Sequence, residues 1–166
     1  MLANAANYLA IPKFGHVRLN GDTVWQSAII NTTFPNLRGV NVILVNPFDC
    51  SMQVPYRRFD THLSATAATE LSDYLQQISC GTIVVGVSAG EPSRYLANAL
   101  STLSGLGVDV SDVQYRGAFG FVAQKGFSAK TVIRKVLTEE EGLHTQPNFT
   151  ATVTGTRSIA LNSLWC

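Results

Sequence analysis

Residues 82–100 read TIVVGVSAGEPSRYLANAL: an apolar run, then Gly86-Val87-Ser88-Ala89-Gly90, then a segment of helical periodicity. Strand, G-x-S-x-G and helix in that order is the setting in which a serine hydrolase presents its nucleophile. The same residues have a quieter use, in which Gly86 and Gly90 simply shape a tight strand-to-helix loop. Choosing between the two depends on what the rest of the chain supplies.

The flanking segments favour antiparallel pairing. HVRLNGDTVW alternates around Asn20-Gly21, a dipeptide suited to the positive φ of a tight hairpin turn. GVNVILVNPFDCSMQVPYRRF repeats the device: a buried apolar run, a turn from Asn46 to Ser51, and a return strand broken by Pro55, which marks an edge or a bulge. From His62 to Ser79, Leu63, Ala67, Leu71, Leu75 and Ile78 recur at spacings of three and four, predicting an amphipathic helix packed on a sheet. GTIVVGV reads as a central strand, and Pro92 to Leu106 as a second helix stopped at Gly105 or Gly107. GAFGFVAQKG alternates as a strand, and Ser128 caps a predicted third helix carrying Val132, Ile133, Val136 and Leu137. FTATVTG and SIALNS read as closing strands. Hairpins together with crossover helices predict an α+β domain rather than a purely parallel one.

Length and composition bound the rest. The 166 residues fit one domain spanning 1–166, with no repeat, low-complexity tract or linker. A formal net charge of +1, with only 14% charged residues, gives no field for steering onto nucleic acid or an acidic membrane. No apolar stretch approaches the ~20 residues that span a bilayer, and MLANAANYLAIP lacks the basic start and apolar core of a signal peptide. The chain is therefore either cytosolic or a mature, processed form. Asn31-Thr32-Thr33 and Asn148-Phe149-Thr150 are glycosylation sequons and lean toward the second.

Cys50, Cys80 and Cys166 match no zinc site and are too few for a disulfide scaffold. Cys50 and Cys80 fall at the same end of the predicted sheet, so a Cys50–Cys80 bridge is geometrically reasonable. That arrangement leaves Cys166 for an intermolecular bond, while three free cysteines remain the plain alternative. His16 and His62 have no partner at metal-ligand spacing, and nothing in the chain calls for a metal or cofactor. Glu139-Glu140-Glu141 reads as a solvated charge run.

For the hydrolase reading, Ser88 needs a base, an orienting acid and an oxyanion hole. Asp109 or Asp112 and then His144 follow it in a permitted order, but His144 lies in EEEGLHTQPN, a solvated loop, and no upstream glycine-rich stretch offers an oxyanion partner. No catalytic role is assigned on this basis.

RGVNVILVNPFDCSMQVPYRRFDTH, a helix, GTIVVGVSAGEPS, a helix ending in LSGLG, and YRGAFGFVAQKG together resemble the ILEI/PANDER-like (interleukin-like EMT inducer) family over about residues 15–127. The resemblance implies two twisted, largely antiparallel β-sheets lined by about three helices, and no catalytic serine. Members include secreted cytokine-like proteins, cell-surface hyaluronan-associated proteins and the N-acetylglucosamine-binding stem of the protein O-mannose N-acetylglucosaminyltransferase. In that sugar-binding member an acidic loop residue and the arginine of a W-R-D motif contact the saccharide. Tyr115-Arg116 stands where Trp-Arg stands, with Gly117 in place of the acid; Ala89 falls at the acidic loop position, and Glu91 reaches it only with a shift of two.

Saccharide hydroxyls both donate and accept, so a fixed carboxylate, a guanidinium and an aromatic ring make a suitable set. Glu91, Arg116 and Tyr115 supply it, and Ser88 adds a hydroxyl. Each has a plainer alternative: Tyr115 in the core, Arg116 paired with Asp109 or Asp112, Glu91 favouring a helix N-terminus. The expectation is a secreted lectin for N-acetylhexosamine glycans (N-acetylglucosamine or N-acetylgalactosamine type), homo-oligomeric for avidity. A cytokine-like signalling ligand and a Ser88 hydrolase are the alternatives.

Overall fold

The computed structural model describes residues 2–4, 16–19, 22–26, 38–138 and 148–150. Its frame is a five-stranded antiparallel sheet in the order β5-β4-β6-β7-β8, built from β4 (Gly39–Val45), β5 (Arg57–Phe59), β6 (Ile83–Ala89), β7 (Ala118–Gln124) and β8 (Val132–Val136). The strand with the continuously apolar sequence, β6, is central, and all seven of its residues are buried. Strands covered on both faces need apolar residues at every position, which is why β4 and β6 read as runs rather than alternations. Strands β1 (Leu2–Asn4), β2 (His16–Leu19), β3 (Asp22–Gln26) and β9 (Asn148–Thr150) pair antiparallel in the order β3-β2-β1-β9. Leu19 pairs with Asp22 in the β2–β3 register, the pairing that the Asn20-Gly21 hairpin signature predicts.

Two apolar clusters pack on opposite faces of the five-stranded sheet. Val42, Val84, Phe119 and Phe121 meet Leu71, Leu75, Leu96, Leu103 and Leu106 on the helix side, while Ile43, Val85, Val87 and Val122 surround Val17 of β2 on the other. The helix side is lined by α1 (Ala65–Gln77) and α2 (Leu100–Gly105), the latter preceded by a 3-10 turn at Leu96–Ala99. Ser64 caps α1, its Oγ accepting from the Ala67 amide at 3.2 Å, a bond of about 1 kcal/mol. Leu71 and Leu75 are buried as predicted, but Leu63 precedes the helix and is 67% exposed. The second helix starts later than its periodicity suggests, because residues 91–93 are occupied by side-chain and backbone bonds described below.

That helix ends in a Schellman motif. Val108 N–H donates to Leu103 O and Gly107 N–H to Ser104 O, with Gly107 at φ +78 and both Val108 and Leu103 in the core. Of the two glycines that could stop the helix, Gly107 does so.

The third helix is overturned: the described residues hold two α-helices, and Ser128–Lys130 forms a 3-10 turn leading into β8. Val132, Ile133 and Val136 are β-branched, and pairing with β7 offers a full ladder to a segment of weak helix propensity. Ile133 and Leu137 turn to the helix face and Val132 to the other, so the apolar positions serve an alternation of two. The Cys50–Cys80 pairing is likewise not made, since Cys50 is a free thiol at the left-handed end of the Asn46–Ser51 turn. Cys166, Asn31, His144, the Glu139–Glu141 run and SIALNS lie outside the described residues, as does most of FTATVTG. No helix among the described residues is long and apolar enough to cross a membrane.

Candidate functional site

The residues of G-x-S-x-G each have a structural duty. Gly86 pairs directly with Phe121 across β6 and β7, and a Cβ on it would lie 2.1 Å from the Phe121 ring. Gly90 ends β6 at φ +63, beside the Arg38 side chain. Ser88 is fully buried, and its Oγ accepts a hydrogen bond from the Phe119 amide at 2.8 Å. The β6–β7 ladder runs only to Val87 and Gly120, so the serine hydroxyl takes over where the backbone pairing stops. A buried backbone N–H left without an acceptor costs free energy, and Ser88 removes that cost for Phe119. A hydroxyl so placed is turned into the protein, away from any substrate or sugar.

Arg38 and Asp60 brace the same end of the sheet. Arg38 Nε and Nη2 both lie 3.0 Å from the Asp60 carboxylate, Arg58 is 3.9 Å away, and the Leu63 amide donates to Asp60 Oδ1 at 3.0 Å. Burial alone raises the Asp60 carboxyl, but these hydrogen bonds and the two guanidinium charges outweigh it and hold it below the ordinary aspartate value. Thr61, fully buried, donates its hydroxyl to Pro92 O at 2.7 Å and accepts from the Tyr95 amide at its carbonyl. The FDT and GEPS segments are thereby tied together, and residues 91–93 are held out of the helix that follows.

The predicted ligand residues meet one level further out. Gln114-Tyr115-Arg116-Gly117 is a tight turn closed by Gly117 N–H to Gln114 O at 2.9 Å. Arg116 is its third residue and has φ +59, the value that a type II turn normally gives to glycine or asparagine. Below it lies Glu91, only 5% exposed. One Glu91 carboxylate oxygen accepts from the Ser93 amide and the other from the Arg116 amide. Above the turn Tyr115 is 59% exposed, with the Arg116 guanidinium carbon 5.1 Å from its ring centroid.

Tyr115, Arg116 and Glu91 are therefore brought together, with Tyr115 at the surface rather than in the core. Ser88 lies on the sheet beneath, joined to this region through Phe119 of β7. Glu91 serves neither a helix N-terminus nor an open carboxylate surface, because both of its oxygens are engaged by backbone. Asp112 pairs with Lys135 at 2.6 Å, and Asp109 accepts from the Ser111 hydroxyl and amide. The glycine that replaces the acid after Arg116 has a steric reason: a Cβ on Gly117 would lie 2.6 Å from Leu137 O and 2.8 Å from Val136 O. Among the described residues no group of three or more His, Cys, Asp or Glu side chains converges to hold a metal ion.

The backbone role of Glu91 and the left-handed Arg116 were missed from sequence. Arg116-Gly117 after an aromatic residue was the available turn signal, but glycine at the fourth position fits several turn types.

The family described as interleukin-like EMT inducer matches the chain over residues 38–127, more than half its length. The match contains both halves of the site, the loop after β6 and the turn before β7. No curated protein matches the chain.

Proposed function

The chain belongs to the interleukin-like EMT inducer family, and on that premise we propose that it is a lectin binding N-acetylhexosamine glycans without catalysis. The observation that carries the proposal is the Tyr115–Arg116 turn. A long cationic side chain occupies a left-handed position that glycine would fill without strain, and it lies against an exposed aromatic ring. Strained backbone persists where the surroundings over-determine it, and such positions cluster at ligand sites. The ring supplies a face for the apolar side of a sugar, and the guanidinium supplies donors to hydroxyl or acetamido oxygens. Ser88 and Glu91 support this surface from beneath rather than forming part of it. The buried, engaged Ser88 hydroxyl argues against the hydrolase alternative.

One such site is small, so useful avidity calls for several on one assembly, and the proposal includes a secreted homo-oligomer. The test is a glycan array probed with the wild-type chain, Tyr115→Ala and Arg116→Ala. Selective binding to N-acetylhexosamine glycans is expected, weakened roughly 10-fold or more by Arg116→Ala, the scale of a lost hydrogen bond to a charged group. Absence of binding to every glycan overturns the lectin reading.

A second reading, a cytokine-like signalling ligand, is favoured by a different surface. Phe48, Met52, Val54 and Tyr56 are all exposed along the segment joining β4 to β5. Apolar surface of that kind suits a protein receptor better than a sugar. Binding to a cell-surface protein that free N-acetylglucosamine does not displace would favour it.

A further inference from the structure

We infer that Glu91 is a positioning residue that locks the Arg116 backbone, and that it makes no contact with the ligand. The inference deepens the lectin reading for the same site and departs from the expectation that an acidic residue here accepts from the saccharide. Three observations carry it. Glu91 is 95% buried, so little of its carboxylate is open to a ligand. Both carboxylate oxygens already accept from backbone amides, of Ser93 and of Arg116, which lies 25 residues away. The Arg116 amide belongs to a residue at φ +59, a conformation that a non-glycine residue leaves unless something holds it.

The consequence is a division of labour. A carboxylate is the one common side chain with two strong acceptor oxygens and no donor, so it can bridge the loop after β6 and the turn before β7. Glutamine offers one acceptor, and its amide group would meet the second N–H donor to donor. The bridge acts on the main chain of residue 116, whatever side chain that residue carries. Arg116 and Tyr115 are thus presented to ligand in a fixed geometry, with the ordering completed before binding rather than during it.

The test uses the full chain and the variants Glu91→Gln, Glu91→Asp, Arg116→Ala and Glu91→Gln/Arg116→Ala, all at a temperature where each is folded by circular dichroism. Amide hydrogen exchange at residue 116 reports the lock, and titration with N-acetylglucosamine trisaccharide reports binding. The residue 116 amide is expected to be protected in the wild type, and Glu91→Gln to speed its exchange about 10-fold or more, as for loss of a hydrogen bond to a charged group. The same acceleration is expected when Arg116→Ala is the background, because the bond is to backbone. Glu91→Asp should restore part of the protection.

Rapid exchange of this amide in the wild type, or unchanged exchange in Glu91→Gln, overturns the inference. So does an effect of Glu91→Gln that disappears in the Arg116→Ala background, which would place the interaction on the guanidinium. Lost trisaccharide binding in Glu91→Gln with protection intact also overturns it, by making Glu91 a ligand contact. If the wild type binds no sugar while the exchange results hold, the lectin reading fails and the lock stands.

Discussion

Replacing Ser88 by alanine removes one oxygen from the interior and leaves the Phe119 amide without its acceptor at 2.8 Å. Both residues are fully buried, so water cannot take the place of the hydroxyl without opening the sheet. Leaving a buried donor unsatisfied costs about 1–3 kcal/mol. For a chain of this size a loss of about 2 kcal/mol lowers the thermal midpoint by about 4–8 °C. The assay is a pair of urea and thermal unfolding curves for wild type and Ser88→Ala, with amide exchange at Phe119 measured below the transition. The midpoint should fall, and Phe119 should lose protection more than its neighbours in β7. A nucleophilic serine predicts something else: an unchanged or raised midpoint and loss of reaction with a serine-directed probe. An unchanged midpoint together with an unchanged Phe119 amide would refute the assignment of Ser88 to the sheet.

Gly86→Ala is expected to destabilise by about 1–3 kcal/mol through overpacking, since its Cβ would fall 2.1 Å from the Phe121 ring. Much of that loss should vanish when the same change is made in a Phe121→Leu background, and equal losses in the two backgrounds, read from urea midpoints, would refute the contact. Asp60 carries a pH dependence. Burial raises its carboxyl, but Arg38, the Leu63 amide and Arg58 together leave it below the ordinary value. A carboxyl more acidic folded than unfolded contributes stability above its unfolded pKa of about 3.9, lost as pH falls through the folded value. The stability lead of wild type over Asp60→Asn should therefore be full at neutral pH and shrink below about pH 4, and a lead that stays constant across urea titrations at each pH would contradict this.

Much of the frame was legible because it depends on local chemistry. Asn20-Gly21 calls for a tight hairpin, Pro55 interrupts an edge, and the spacing of Leu71 and Leu75 gives α1 its buried stripe. The third predicted helix failed for a physical reason. Val132, Ile133, Val136 and Leu137 follow a helical spacing, and as a strand they divide between the two faces, so only a sheet covered on both sides with an open edge at β7 makes the strand the better choice. The start of the second helix was misplaced for a related reason. Pro92 suits a first turn, but Thr61, 31 residues earlier, engages its carbonyl.

The site divides in the same way. Tyr115 and Arg116 were reached through the family resemblance, and their chemistry suits a saccharide. Their roles relative to Ser88 and Glu91 were not legible in the sequence. A serine between glycines is a nucleophile or a strand cap according to which group faces its hydroxyl, and here that group is the Phe119 amide, 31 residues on. Likewise Glu91 is a binding carboxylate or a backbone clamp according to what lies against it, and the Arg116 amide reaches it only because β6 and β7 are neighbours. Composition and local pattern by themselves determined strands, turns and one helix, because those follow from forces acting over a few residues. Tertiary structure alone decided that Ser88 and Glu91 answer to the backbone amides of Phe119 and Arg116, because those amides come from segments far off in the chain.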